Sequence, residues 1–167
     1  FRRVLFRSLG NRPWLAELHY LAGESSMAAG ELETADHRFR QALKLARDLD
    51  SGQARAAAKL SIEGSAWWSY RSGHIERAVT LFASLVALDD IEVHEFFHVE
   101  SANREDALTQ ARARLGSQLY QSLWSGGRSM SLDDAVSYAL SEPEEPVHAT
   151  PIGLSLEEIE LGERVRS

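Results

Sequence analysis

His94-Glu95-Phe96-Phe97-His98 has the residue types and spacing for chemistry. On a helix, histidines four positions apart lie one turn apart on a single face and can grip zinc, with Glu95 as general base toward a metal-bound water. The surroundings argue against that use. Glu92 and Glu100 put charge on the flanks, and Ser101 and Arg104 stand where the extended form of the motif has a glycine and a third histidine. A remote third ligand such as Asp133 or Asp134 has no support from spacing. Packing by Phe96 and Phe97 is the better account, so no catalytic residue, metal or cofactor is expected, and a zinc-dependent hydrolase stands as the alternative.

Other reactive arrangements are missing. The chain contains no cysteine, which removes disulfides, thiol nucleophiles and cysteine-ligated zinc. No G-x-x-x-x-G-K-[ST] phosphate loop and no G-x-S-x-G elbow occur, and His19, His37, His74 and His148 stand singly. Net charge is -7, with residues 141–167 carrying seven acids against Arg164 and Arg166. Neither that tail nor the nearly balanced body has the clustered basic residues of a nucleic-acid footprint. No apolar run is long enough to span a bilayer, so the expectation is a cytoplasmic protein without membrane contact.

The elements that must position everything else are set by a repeat. Gly30-Glu-Leu-Glu-Thr-Ala35-Asp-His-Arg-Phe39 recurs 43 residues later as Gly73-His-Ile-Glu-Arg-Ala78-Val-Thr-Leu-Phe82. In each copy a small residue, a ring and then Ala42 or Leu85 fall at i, i+4 and i+7, one face of a helix. A lone helical hairpin cannot bury such a face, so the expected fold is all-α, an α-solenoid of antiparallel helix pairs. Small residues on the first helix of each pair (Ala22, Gly23 and Ser26; Ser65, Ala66 and Ser69) leave room for Phe39 and Phe82 to insert as knobs.

Along the chain, Arg2 to Ser8 resembles the conceptual translation of a sequencing-adapter end, so residues 1–8 are set aside and the helical domain is placed at 9–140. Helices are expected from Pro13 to about Ala29, Leu32 to Leu49, Gln53 to Arg71 and His74 to Leu88. The period lapses between Asp89 and Ala102 and returns at Leu108, Ala111, Leu115 and Leu119. Gly126-Gly127 is expected to end that helix, with Ser131 and Asp134 capping the last one as a C-terminal cap. Residues 141–153 hold three of the four prolines beside like charges and read as a linker before a disordered tail, 154–167.

Spacing around Gly30, Ala35, Phe39 and Ala42, echoed at Gly73, Ala78 and Phe82, resembles the tetratricopeptide repeat. The step of 43 residues exceeds the usual length of about 34, and no proline closes either copy. Leu81 to Ala87 and Leu115 to Val136, above all Trp124 to Val136 with its Gly-Arg turn and Ser-Leu-x-x-Ala start, look like the C-terminal helical region of bacterial STAND-type ATPase regulators. That resemblance implies a fragment of a multidomain transcriptional regulator in which such repeats join an ATPase module and, in many relatives, a LuxR-type or SARP-type DNA-binding domain. Gly153 to Leu161 is compatible with the truncated opening of a LuxR-type helix-turn-helix, although the Pro and Arg of that start are missing.

In such a solenoid the first helix of each pair lines a groove. Its expected partner-binding residues are Tyr20, Glu24 and Met27 from one copy and Glu63, Trp67 and Tyr70 from the next. Stiff amphipathic rings among carboxylates suit a protein or peptide partner, or a small inducer, with basic groups favoured. The function expected is therefore a non-enzymatic interaction or sensor module, partnered in the same chain by the ATPase module. A free-standing tetratricopeptide adaptor is the nearest alternative.

Overall fold

The computed structural model describes residues 12–91 and 101–143. All secondary structure among them is helical, as expected for an all-α chain. Seven helices are described: α1 (Arg12–Ala28), α2 (Leu32–Ala46), α3 (Gly52–Arg71), α4 (Ile75–Ala87), α5 (Ser101–Leu115), α6 (Ser117–Arg128) and α7 (Leu132–Leu140).

Local chemistry sets the turns. Gly30 and Gly73 adopt φ of +79° and +87°, where a side chain would be strained. Around each, the residue after the glycine donates to a carbonyl five back (Glu31 to Ser26, 2.9 Å; His74 to Ser69, 2.8 Å), and the glycine donates to the carbonyl three back. These bonds satisfy the helix-end carbonyls and reverse the chain identically in both repeats. Ser51 caps α3 by accepting from the Ala54 amide at 3.2 Å. At α7 the expected box forms, Ser131 Oγ accepting from the Asp134 amide while Asp134 accepts from the Ser131 amide.

The core forms as α1 packs on α2, α3 packs on both, and α4 packs on α3. Phe39 and Phe82 are 0% and 1% exposed, so both expected knobs insert. Phe39 is seated between two glycines on different helices: a Cβ on Gly23 of α1 would lie 2.5 Å from its ring, and one on Gly64 of α3 would also collide with it. Phe82 meets a ring rather than a small residue, edge-on to Trp67 at 5.0 Å between centroids. Along α3, the buried Ser61, Ser65 and Ser69 each donate to the carbonyl four residues back at 2.7–2.8 Å, so small polar groups are buried without loss of hydrogen bonds.

In the C-terminal half, Gly126-Gly127 forms the last turn of α6, which stops one residue on at Arg128, the Ser129 and Met130 amides donating to the two glycine carbonyls. Gly127 is buried where α6 crosses α4, so closely that a Cβ would strike the Thr80 carbonyl and Ala83. One expectation is corrected: the apolar series Leu108 to Leu119 is not one helix, being broken at Gly116, whose φ is +77°. Gly116 lies 43 residues beyond Gly73 and shares its positive φ, but its turn differs, its amide donating four residues back to Arg112 rather than three back as at Gly30 and Gly73. At Gly116 a single residue separates the helices, and α6 packs mainly along α4 rather than along α5.

The last helix, α7, folds back across α2, α3 and α4, and two arginines hold its C-terminal end. Arg77 donates to the Ala139 carbonyl (2.8 Å), the Ser141 carbonyl (3.2 Å) and Ser141 Oγ (3.2 Å), and its guanidinium lies 5.2 Å above the Tyr138 ring. Arg40 donates to the Leu140 and Ser141 carbonyls at 2.8 and 3.1 Å and is steadied by Asp36 at 2.8 Å. Cations at this end oppose the negative pole of the helix dipole.

Candidate functional site

The six expected partner-binding residues do not share one environment. Tyr20 and Met27 are 3% and 6% exposed and pack with Phe39 and Leu60 in the core, so they hold α1 in place and do not line an open groove. This corrects the expectation for those two. Met27 matters also through its backbone, whose carbonyl accepts from Arg71 Nη1 at 2.8 Å, tying the end of α1 to the end of α3. Glu24, Glu63, Trp67 and Tyr70 are half-buried along the edge that α1 and α3 share.

Two of those four are engaged by α5, an element the helical period did not place there. Arg104 reaches Glu63 at 3.8 Å, and the Tyr70 hydroxyl donates to Gln110 Oε1 at 2.9 Å. Trp67 sits edge-on to both Tyr70 (6.2 Å) and Phe82 (5.0 Å), so its ring is partly core. Arg104 and Gln110 therefore belong with the site, and their only signal in the sequence was their place in the weakly periodic stretch before Gly116.

The carboxylates of Glu24 and Glu63 and the guanidinium groups of Arg104 and Arg114 set the electrostatics of the edge. The Tyr20 phenol is held far above its ordinary range, first by burial and then by the carboxylates of Glu24 and Glu63, which disfavour a second negative charge. Burial also raises Tyr70, opposed in part by Arg114. Both phenols stay protonated near neutral pH. The arrangement gathers two carboxylates, ring faces and a hydroxyl, with Arg104 against Glu63 and Gln110 against Tyr70.

The remaining candidates are dispersed. His94, Glu95 and His98 lie outside the described residues. Asp133 and Asp134 are exposed in the first turn of α7, where hydrogen bonds from Ser131 hold the Asp134 carboxyl below its usual range. Among the described residues no group of three His, Asp or Glu side chains is placed to hold a metal ion. His74 stacks on Trp68 at 5.5 Å, and His19 has its buried Nδ1 without a hydrogen-bond partner among the described residues. An open depression of about 350 Å³ between the α2–α3 turn and α7 is lined by Arg47, Asp48, Asp50, Arg55 and Asp133 with apolar neighbours.

No helix among the described residues is long and apolar enough to cross a membrane. The chain matches no family model, and neither the curated proteins nor the solved structures include a significant match to it.

Proposed function

We propose that this chain is a tetratricopeptide-like helical-repeat module that binds a protein, peptide or small inducer, and that it serves as the sensor arm of a multidomain ATP-dependent transcriptional regulator. The supporting observation is the pair of matching hairpins that reverse at Gly30 and Gly73, 43 residues apart and each at positive φ. Hairpins repeated at one step generate a continuous side surface on which extended partners lie. The regulator context rests on the resemblance of the Trp124 to Val136 stretch.

Binding is assigned to the Glu24, Glu63, Trp67 and Tyr70 edge. A basic group on the partner competes with Arg104 for Glu63, and a ring or hydroxyl competes with Gln110 for Tyr70. Occupancy then loosens α5 from α3, and a module docked against α5 responds through its different affinity for the two arrangements. The chain acts as a binding partner in this scheme, without bond-making chemistry of its own.

The test has two arms. A phosphate-binding loop in the same reading frame upstream of Arg12 would place the module in an ATPase regulator, whereas its absence would favour the free-standing adaptor. Glu24→Gln with Glu63→Gln should weaken capture of a Lys- and Arg-rich peptide by the edge while circular dichroism stays unchanged. Undiminished capture would remove the site from this edge.

A further inference from the structure

Two helices of the C-terminal half are held very differently. The nine residues of α7 bury Ala135, Val136 and Ala139, and Arg40 and Arg77 bind its end. The fifteen residues of α5 fully bury, among their described side chains, only Ala107 and Ala111, with Leu108 partly covered at the main core. Two methyl groups and part of a leucine remove little apolar surface from water, so α5 sits on a thin seat for its length.

Toward α3 the hold is polar and open to water. Arg104 meets Glu63 at 3.8 Å with side chains 34% and 25% exposed, and an ion pair so placed contributes little. The hydrogen bond between Gln110 and the Tyr70 hydroxyl is exposed as well. At its C-terminal end α5 passes into α6 through Gly116 alone, which has positive φ and open space where a side chain would stand. Beyond that joint α6 is seated on α4 by the close approach at Gly127. A helix on a thin seat, joined to an anchored one by a single glycine, is built to open locally as a unit.

We propose that α5 is a strap that swings off α3 and α4 about Gly116, and that its opening gates the edge carrying Glu63 and Tyr70. Closed, Arg104 and Gln110 stand on the groups that a partner would engage. Open, both contacts are withdrawn together, because one rigid helix carries them. The gating rests on the binding role proposed above, whereas the opening itself does not. A partner that engages only the open arrangement has its affinity reduced by the fraction of molecules that are open. Loosening the seat therefore speeds amide exchange in α5 and tightens binding by one common factor.

Hydrogen exchange of the full chain with no partner present, measured where closing outpaces exchange, reads the opening directly. The 104–115 amides should exchange together and about tenfold or more faster than those of α2 and α4. Ala111→Gln places a longer, neutral side chain at a position 1% exposed, and it should speed the 104–115 amides further while those of α2 keep their rate. Gln110→Ala removes the bond to Tyr70 without touching a buried group, should act in the same direction to a smaller extent, and serves if the first variant does not fold. Neither change alters net charge, and each should strengthen capture of a Lys- and Arg-rich peptide by the factor through which exchange rises. Amides of 104–115 that exchange only along with those of α2 and α4 would overturn the strap. Faster exchange with capture no tighter than the parent's would overturn the gating. Opening in all three proteins with capture by none would instead remove the binding role, the strap being upheld by its exchange.

Discussion

The Phe39 ring occupies the space that a side chain on Gly64 would need, so the absence of a Cβ on α3 is what lets α2 close on it. Gly64→Ala should therefore destabilise the protein by about 1–3 kcal/mol, as overpacking does. Phe39→Ala, which empties the same space, should cost about 3–5 kcal/mol. Urea unfolding of the single and combined variants checks both: Phe39→Leu should relieve part of the Gly64→Ala loss, and strict additivity would show that the two do not share one space.

Arg77 is 8% exposed and spends its donors on carbonyls at the end of α7. Arg77→Met keeps much of the apolar stem but strips the Ala139 carbonyl of its arginine donor and leaves the Ser141 carbonyl to Arg40, and a loss of about 1.5–3 kcal/mol is expected for charged hydrogen bonds. Hydrogen exchange of the 132–140 amides should accelerate more than that of α1. Arg77→Lys should recover little, because a single ammonium cannot span the same acceptors.

Gly116 has φ +77° and ψ 156°, a region that is essentially glycine's alone. Gly116→Ala should cost about 1–3 kcal/mol, and Gly116→Asn should fail to rescue it because asparagine tolerates only the left-handed helical region. Thermal unfolding of the three proteins decides the matter; equal midpoints for Ala and Gly would mean that the turn can relax.

His19 is held below its ordinary value of 6.5, first by burial and then by the nearby Arg38 and His37 charges. The unfolded chain therefore takes up this proton at higher pH than the folded chain. Stability from His19 is complete above the ordinary histidine range and declines as the pH falls through 6.5 toward the lowered folded value. The melting midpoint should drop between pH 7.5 and 5, and His19→Gln should flatten that drop. A slope unchanged in the variant would assign the acid sensitivity to other groups.

Much of the fold was legible in local pattern. Phe39 and Phe82 at matching places after Gly30 and Gly73 announced two hairpins, because a ring at i+4 from an alanine marks a buried stripe whichever neighbour covers it. The Ser131 and Asp134 box was legible for the same reason, each partner being three residues from the other. The candidate site was legible only in part. Glu24, Glu63, Trp67 and Tyr70 are half-buried, whereas Tyr20 and Met27 went inward, since which side of α1 is inner depends on where α2 and α3 cross it.

The sequence by itself determined helix content, the 43-residue step, the aromatic knobs and the lack of thiol chemistry, all matters of residue type and short spacing. Tertiary structure alone decided that Gly127 seats a helix end against α4 while Gly116 breaks a helix. The physical reason is that glycine serves both ends: it lets a backbone turn through positive φ, and it lets two helices touch. Only the presence of α4 against Gly127, and its absence at Gly116, separates the two uses, just as only the return of α7 put Arg40 and Arg77 at a helix end.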